Sequence, residues 1–364
     1  FGYIQGLIYA ILGFLLTLIN TYFIKYSADK LNVYQYKQIV TKTYSPLLGN
    51  ITGLCQVLFA FGTVASFANA IKASFIFIQS EKQFDAGDGY KDLLLAGFMF
   101  LLIMPLCYLK NLDPLKFNSY VNIFSMCVLV IVLFVFLGFE GKNAHVDAFK
   151  IDKQSVIGVT CIMHSYVIGL QYNFSNLYGE LQDRAKNVVK STSFSLGFIL
   201  MIYICSAFGG YLAFGDNTRD NIMLNITAFK NDQKLQVWAW IANILVLIVQ
   251  VVHYPVTNYN LRKATINLLF KNPQRKHDFI ISTAVVVLTF IIGCTVKSII
   301  FIIDFVSPLC GGFNCLIIPG LVMMKLSTER KMKIFSITVV ALGSLIVVFS
   351  FSVAFYKYLF LKWP

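Results

Sequence analysis

Charged side chains are scarce in this sequence. They form 13% of its 364 residues, about half the share of a soluble globular domain, while 57% of the chain is hydrophobic. A water-soluble globule is thereby excluded and a membrane protein is indicated. Acidic residues are scarcer still, 17 against 30 lysines and arginines, for a net charge of +13. In a soluble protein that excess would suggest nucleic acid. Here it is first tested against the tendency of basic loops to remain on the cytosolic side.

The signatures of chemistry are missing as well. No HExxH, Walker lysine, GxSxG or dinucleotide fingerprint occurs, so neither an enzyme nor a cofactor is called for. No run of intramembrane arginines suggests a voltage sensor, and no TVGYG sequence a potassium filter. The eight cysteines (Cys55, Cys107, Cys127, Cys161, Cys205, Cys294, Cys310 and Cys315) lie in apolar segments without metal-ligand spacing. They read as small buried hydrophobes rather than as a disulfide framework or metal site. The chain starts at Phe1 rather than methionine, so no signal peptide is sought there.

What the sequence does have is long apolar runs. Spans are predicted at 2–24, 50–78, 92–109, 117–139, 155–178, 191–214, 235–269, 279–296, 299–324 and 333–357. Each is suited to a hydrocarbon core that takes about 20 apolar residues. They form one all-α transmembrane domain, because lipid-facing backbone must satisfy its own hydrogen bonds. β-barrel strands would instead alternate over segments of about 10 residues. The 235–269 run is too long for one straight crossing, and Pro255 is expected to mark its lower end, with Leu261–Phe270 near the interface. Loops 25–49, 110–116, 180–190, 262–278 and 325–333 fall on one side and carry +12 of the formal +13. That side is predicted cytosolic, and nucleic acid is no longer needed to explain the charge. Phe1 then lies on the other side, which predicts at least one further span upstream.

Several polar residues stand out within these runs. In 155–178, Thr160, Cys161, His164, Ser165 and Tyr166 cluster between Gly158 and Gly169. A helix facing only lipid gains nothing from such a patch, whereas one lining a cavity could use it. His164 reads either as a packed, hydrogen-bonded residue or as a proton-sensitive wall of a pocket. Asp304 heads a stripe with Ser307, Gly311 and Asn314 at helical spacing, in a segment that Pro308, Gly311, Gly312 and Pro319 should distort. It is either a deep carboxylate or a group near the surface after a turn at Lys297. Lys72 lies beside Ser66 and Asn69 and reads as a snorkelling anchor or a solute contact. Asn243, Gln250 and His253 share one face of a helix, as glue between helices or as the lining of a solute path. Asn225-Ile226-Thr227 is a glycosylation acceptor.

Three passages together resemble the amino acid/auxin permease family. One is Gly2-Tyr3-Ile4-Gln5-Gly6 followed by Tyr36 and Gly49. The second is Cys161-x-x-His164 followed by Tyr178-Gly179-Glu180-Leu181. The third combines Tyr254-Pro255 and Arg262 with Ser307-Pro308-x-x-Gly311, Pro319 and Lys325. The resemblance implies a LeuT-like fold of two inverted five-helix repeats plus an eleventh helix, with the first helix upstream of Phe1. Residues 155–178 would be the sixth helix, broken at mid-membrane so that free helix ends bind an amino acid and a coupling ion. It further implies that Thr160, Cys161, His164, Ser165, Tyr166, Ser66, Asn69 and Asn243 face the substrate. Asp304, His164, Gln250 and His253 would then serve coupling or gating. The implied activity is secondary active amino acid transport by alternating access, driven by protons or sodium. A monomer in the plasma membrane or an acidic vacuolar or lysosomal membrane is expected. A transporter-like sensor signalling through cytosolic partners is the alternative, and a channel has little support.

Overall fold

In the computed structural model the described residues are 2–79, 88–109, 116–141, 144–149, 174–175, 178–179, 184–219, 221–229, 231–270, 272, 274–296 and 306–360. All regular secondary structure among them is helical. In chain order the helices are α1 (Tyr3–Leu31), α2 (Tyr36–Thr43), α3 (Pro46–Gln79), α4 (Asp88–Gly97), α5 (Met104–Cys107), α6 (Lys116–Glu140) and α7 (Arg184–Phe214). Then come α8 (Ile222–Thr227), α9 (Gln236–Leu269), α10 (Arg275–Thr295), α11 (Ile318–Leu326) and α12 (Arg330–Phe360). Two π-helical stretches, Phe98–Ile103 and Ser307–Ile317, lead into α5 and α11. Among the described residues eight helices are long and apolar enough to cross a membrane, and Asp92–Cys107 is a shorter apolar one. The chain is therefore an all-α multi-pass membrane protein.

α1 begins with its free amides already engaged. Tyr3 and Ile4 donate to the carbonyls of Asp147 and Ala148, each at 3.2 Å, which satisfies donors that any helix start leaves open. Gly2 permits this approach, since a Cβ there would collide with the Ala148 carbonyl. The helix outruns the apolar window because its buried face continues through Ile24, Ser27 and Ala28. It ends at Asn32, whose left-handed backbone (φ 51°) turns its amide onto the Ala28 and Asp29 carbonyls. α2 buries Tyr36, Ile39, Val40 and Thr43, the three-four-seven spacing of an amphipathic helix lying against a core.

Three packed groups follow. In the first, α3 supplies Ala60, Val64, Ala68 and Ile71 against Leu95, Met99 and Ile103, with Tyr254 and Leu261 of α9 and Val286 of α10. The alanines let neighbouring backbones come close, which matters where lipid removes the hydrophobic drive between helices. The second group joins α1 and α2 to Ile318 and Val322 of α11. The third packs Val132, Leu133 and Phe136 of α6 against Phe214, Ile226, Ala239 and Ala242.

Several expectations are refined. Pro255 lies inside an unbroken helix of 34 residues that continues to Leu269. Arg262, assigned from the sequence to a loop, is consequently inside α9 and buried. Ser307, Gly311 and Asn314 lie in a π-helical stretch, whose wider turn does not keep the α spacing that made them one straight stripe. Asn225 is also less available than a glycosylation acceptor should be. It is buried, its Nδ2 donates to the Asn217 carbonyl at 2.9 Å and its Oδ1 accepts from the Arg219 amide at 2.9 Å.

Candidate functional site

A polar side chain within a membrane helix needs a partner, because lipid offers none. Thr160, Cys161, His164, Ser165, Tyr166 and Asp304 lie outside the described residues. Ser66, Asn69 and Lys72 lie on α3, and Asn243, Gln250 and His253 on α9, which packs against it. The two helices run antiparallel. Asn243 Nδ2 donates to the Ser74 carbonyl at 3.3 Å, and farther along the His253 ring lies 6.0 Å from that of Phe67.

The roles at this seam divide. Asn243 is buried and ties α9 to α3. Ser66 returns its hydroxyl to its own helix, donating to the Thr63 carbonyl at 2.7 Å. Asn69 reaches a third helix, with Nδ2 on the Val296 carbonyl just past α10 at 2.9 Å. Lys72 joins it there, 2.7 Å from Asp92 and 3.4 Å from the Cys294 carbonyl. A cation beside carbonyls at a helix C-terminus is favourable, so this end of α10 is held by an amide and an ammonium. Gln250 differs from all of these. Its Oε1 is buried and has no partner among the described residues.

The same imbalance recurs on two other elements. Asn314, in the π-helical stretch, donates Nδ2 to the Thr52 carbonyl at 3.0 Å, yet its Oδ1 has no partner among the described residues. Its own carbonyl accepts from the Tyr36 hydroxyl at 2.5 Å. Burial, with a smaller contribution from Cys315, pushes the Tyr36 phenol well above its ordinary value. The phenol therefore stays a donor at any physiological pH. On α1, Asn20 is fully buried and neither amide atom has a partner among the described residues, while Thr17, Thr21 and Ser27 around it donate to the Gly13, Thr17 and Phe23 carbonyls. Buried carboxamides with open valences are what a hydrated or solute-bearing path would present.

Sequence reading missed a second cluster, at the basic end of the seam. Arg262 donates to the Cys107 carbonyl at 2.9 Å, the Leu109 carbonyl at 2.8 Å and Ser282 Oγ at 3.4 Å. Its Nε is 3.2 Å from Asp278 Oδ1, an ion-pair contact rather than an aligned hydrogen bond. Ser282 in turn donates to Asn258 Oδ1 at 3.3 Å. Asn258 and Arg262 share a face with Pro255, at three and seven residues. That spacing was the available signal, obscured by the expectation that the span ends at the proline.

Buried polar groups held at depth by helices that cross a bilayer define an all-helical, multi-pass membrane protein with more polarity inside than packing requires. The chain belongs to the family described as transmembrane amino acid transporter protein, whose model matches residues 1–361. Among curated relatives it is similar to amino acid transporter AVT6E of Arabidopsis thaliana, with 25% identity over 51% of this chain and 40% of that protein. It is similar to vacuolar amino acid transporter 5 of Schizosaccharomyces pombe, with 22% identity over 61% of this chain and 53% of the relative. It also matches sodium-coupled neutral amino acid transporter 4 of Homo sapiens, with 24% identity over 41% of this chain and 27% of the relative. The chain spans about half the length of the first two relatives.

Proposed function

We propose that this protein moves amino acids across a vacuolar or plasma membrane by secondary active transport, alternating access between its two faces. Family membership and the relatives named as amino acid transporters support the substrate class. The observation that carries the reading to particular residues is the buried Oε1 of Gln250 on α9, which has no partner among the described residues. An acceptor left open at that depth costs about 1–3 kcal/mol, a cost that a substrate ammonium, proton or cation would remove. In this reading Gln250 and His253 contribute one wall, and Thr160, Cys161, His164, Ser165 and Tyr166 the facing one. Asn69 and Asn243 hold the helices in place, and Asp304 couples the driving ion, a proton or sodium, to the cycle.

Full-length protein in proteoliposomes should accumulate a labelled amino acid above equilibration when a proton or sodium gradient is imposed. Equilibration alone under both gradients would remove the transport reading. Gln250→Leu should lower kcat/KM about tenfold, the worth of one hydrogen bond in the pathway, with normal expression. Unchanged kinetics would return Gln250 to helix packing.

A further inference from the structure

The exposed side of α1 carries Ile8, Ile11, Leu12 and Leu15 at three-four-seven spacing, and the row continues to Tyr22. This is a lipid-facing stripe. From Tyr3 to Tyr22 the helix rises about 29 Å, close to the thickness of the hydrocarbon layer. The next turn therefore stands at headgroup depth. There a cleft of about 370 Å³ opens, lined by Tyr22, Lys25, Tyr26, Asp29 and Lys30.

Two lysines and one aspartate give the cleft one net positive charge. Asp29 is engaged on both oxygens, receiving Lys25 Nζ at 2.8 Å and the Tyr178 hydroxyl at 2.6 Å. Lys30 Nζ donates to the Leu326 carbonyl and sits 5.7 Å from the Tyr26 ring. An ammonium carries three donors, so each lysine keeps protons for an incoming oxygen. The start of α12 lies alongside, since Phe335 meets Phe23 of α1 edge to face at 6.0 Å and Met332 packs in the same cluster. It brings Arg330, Lys331 and Lys333 to this side of the membrane, with Lys325 one residue before Leu326.

We propose that this cleft binds the phosphate-bearing headgroup of an anionic phospholipid from the leaflet on the basic side. Lys25 and Lys30 receive the phosphate oxygens, and the Tyr22 and Tyr26 hydroxyls take the neighbouring polar groups. The acyl chains lie along the Leu15–Ile8 row. Lysines at this depth attract anionic lipids, and flanking lysines and arginines raise their local concentration. The tyrosine rings have the amphipathic character of an interfacial belt.

The test titrates the purified full-length protein with short-chain phosphatidylserine and short-chain phosphatidylinositol phosphate. Short-chain phosphatidylcholine and inorganic phosphate serve as comparisons, with binding read by thermal shift and native mass spectrometry. The two anionic lipids should bind in preference to the comparisons. The double variant Lys25→Ala/Lys30→Ala should weaken them about 30-fold. Arg275→Ala/Lys276→Ala removes two charges from the same side but away from the cleft, and should leave binding unchanged. Since Lys30 also supports the end of α11, Tyr22→Glu offers a second probe. It touches no internal contact among those described and should repel the headgroup. The proposal is overturned if both double variants lose affinity equally, if inorganic phosphate or phosphatidylcholine binds as tightly, or if Tyr22→Glu binds like the wild type.

Discussion

The two ends of the block formed by α3, α4–α5, α9 and α10 are fastened by similar chemistry at different depths. At the basic end Arg262 is 2% exposed and serves two carbonyls, a hydroxyl and Asp278. At the opposite end Lys72 pairs with Asp92 at the shorter distance of 2.7 Å, but the two side chains are 19% and 34% exposed. Distance alone would rank the lysine pair first. Burial reverses that order, because water and salt screen an open ion pair. At the basic end Asp278 is itself 30% exposed, so what sets the two ends apart is the buried guanidinium and the carbonyls it serves. Arginine also suits the buried end for its shape, since a planar fork can serve several acceptors at once.

The largest effect should come from Arg262→Ala. It leaves the Leu109 carbonyl without its guanidinium donor and the Cys107 carbonyl with Ser282 Oγ alone, and should cost about 1–3 kcal/mol, read as a lower Tm and loss of monodisperse protein in detergent. Arg262→Lys keeps the charge without the fork and should fall between alanine and wild type. An Arg262→Ala variant as stable as Lys72→Met would break the comparison.

Next comes Tyr254→Phe, between the two ends. The phenol and Thr289 Oγ1 are 2.5 Å apart, but Thr289 also donates to the Val285 carbonyl at 2.8 Å and so keeps a partner. A loss of about 1 kcal/mol is expected, with transport unaffected. Lys72→Met should cost less than about 1 kcal/mol, and the cost should shrink as salt is added. A salt-independent loss would mean that the opposite end is as closed as the basic one.

The smallest effect belongs to Asp232, ahead of α9. Amides of Lys234 and Leu235 donate to its Oδ1 at 2.8 and 2.9 Å and hold its carboxyl below the usual carboxylate range. A folded pKa below the unfolded one gives stability that is complete above the ordinary value of 3.8. That stability is lost as pH falls through the lower, folded value. Asp232→Asn should thus match wild type in a melt taken at very low pH and trail it slightly at neutral pH.

How much of this was legible follows from what a sequence pattern encodes. Apolar length located α1, α3 and α6, because crossing a bilayer demands it regardless of neighbours. It misplaced the end of α1, since residues 25–31 are polar enough to look like a loop and are held helical by packing on one face. It also hid Arg262, because a charge tally treats every basic residue near a span end as solvated. The pairing of Asn69 with the end of α10 depends on helices more than 200 residues apart, and no local periodicity reports such a partner. Asn243, by contrast, was read as glue or lining, and its contact with the Ser74 carbonyl puts it with the glue.

The coarser screw of Ser307–Ile317 has a mechanical corollary. Each turn there takes in about one residue more than the α-helical thread that follows it, so the segment stores slack in its own winding. If that slack were released, Pro319 and everything after it would swing about the axis without a single covalent bond bending. Tyr36 and Thr52 grip Asn314 from outside, as a thumb and finger hold a spring part-way through its travel.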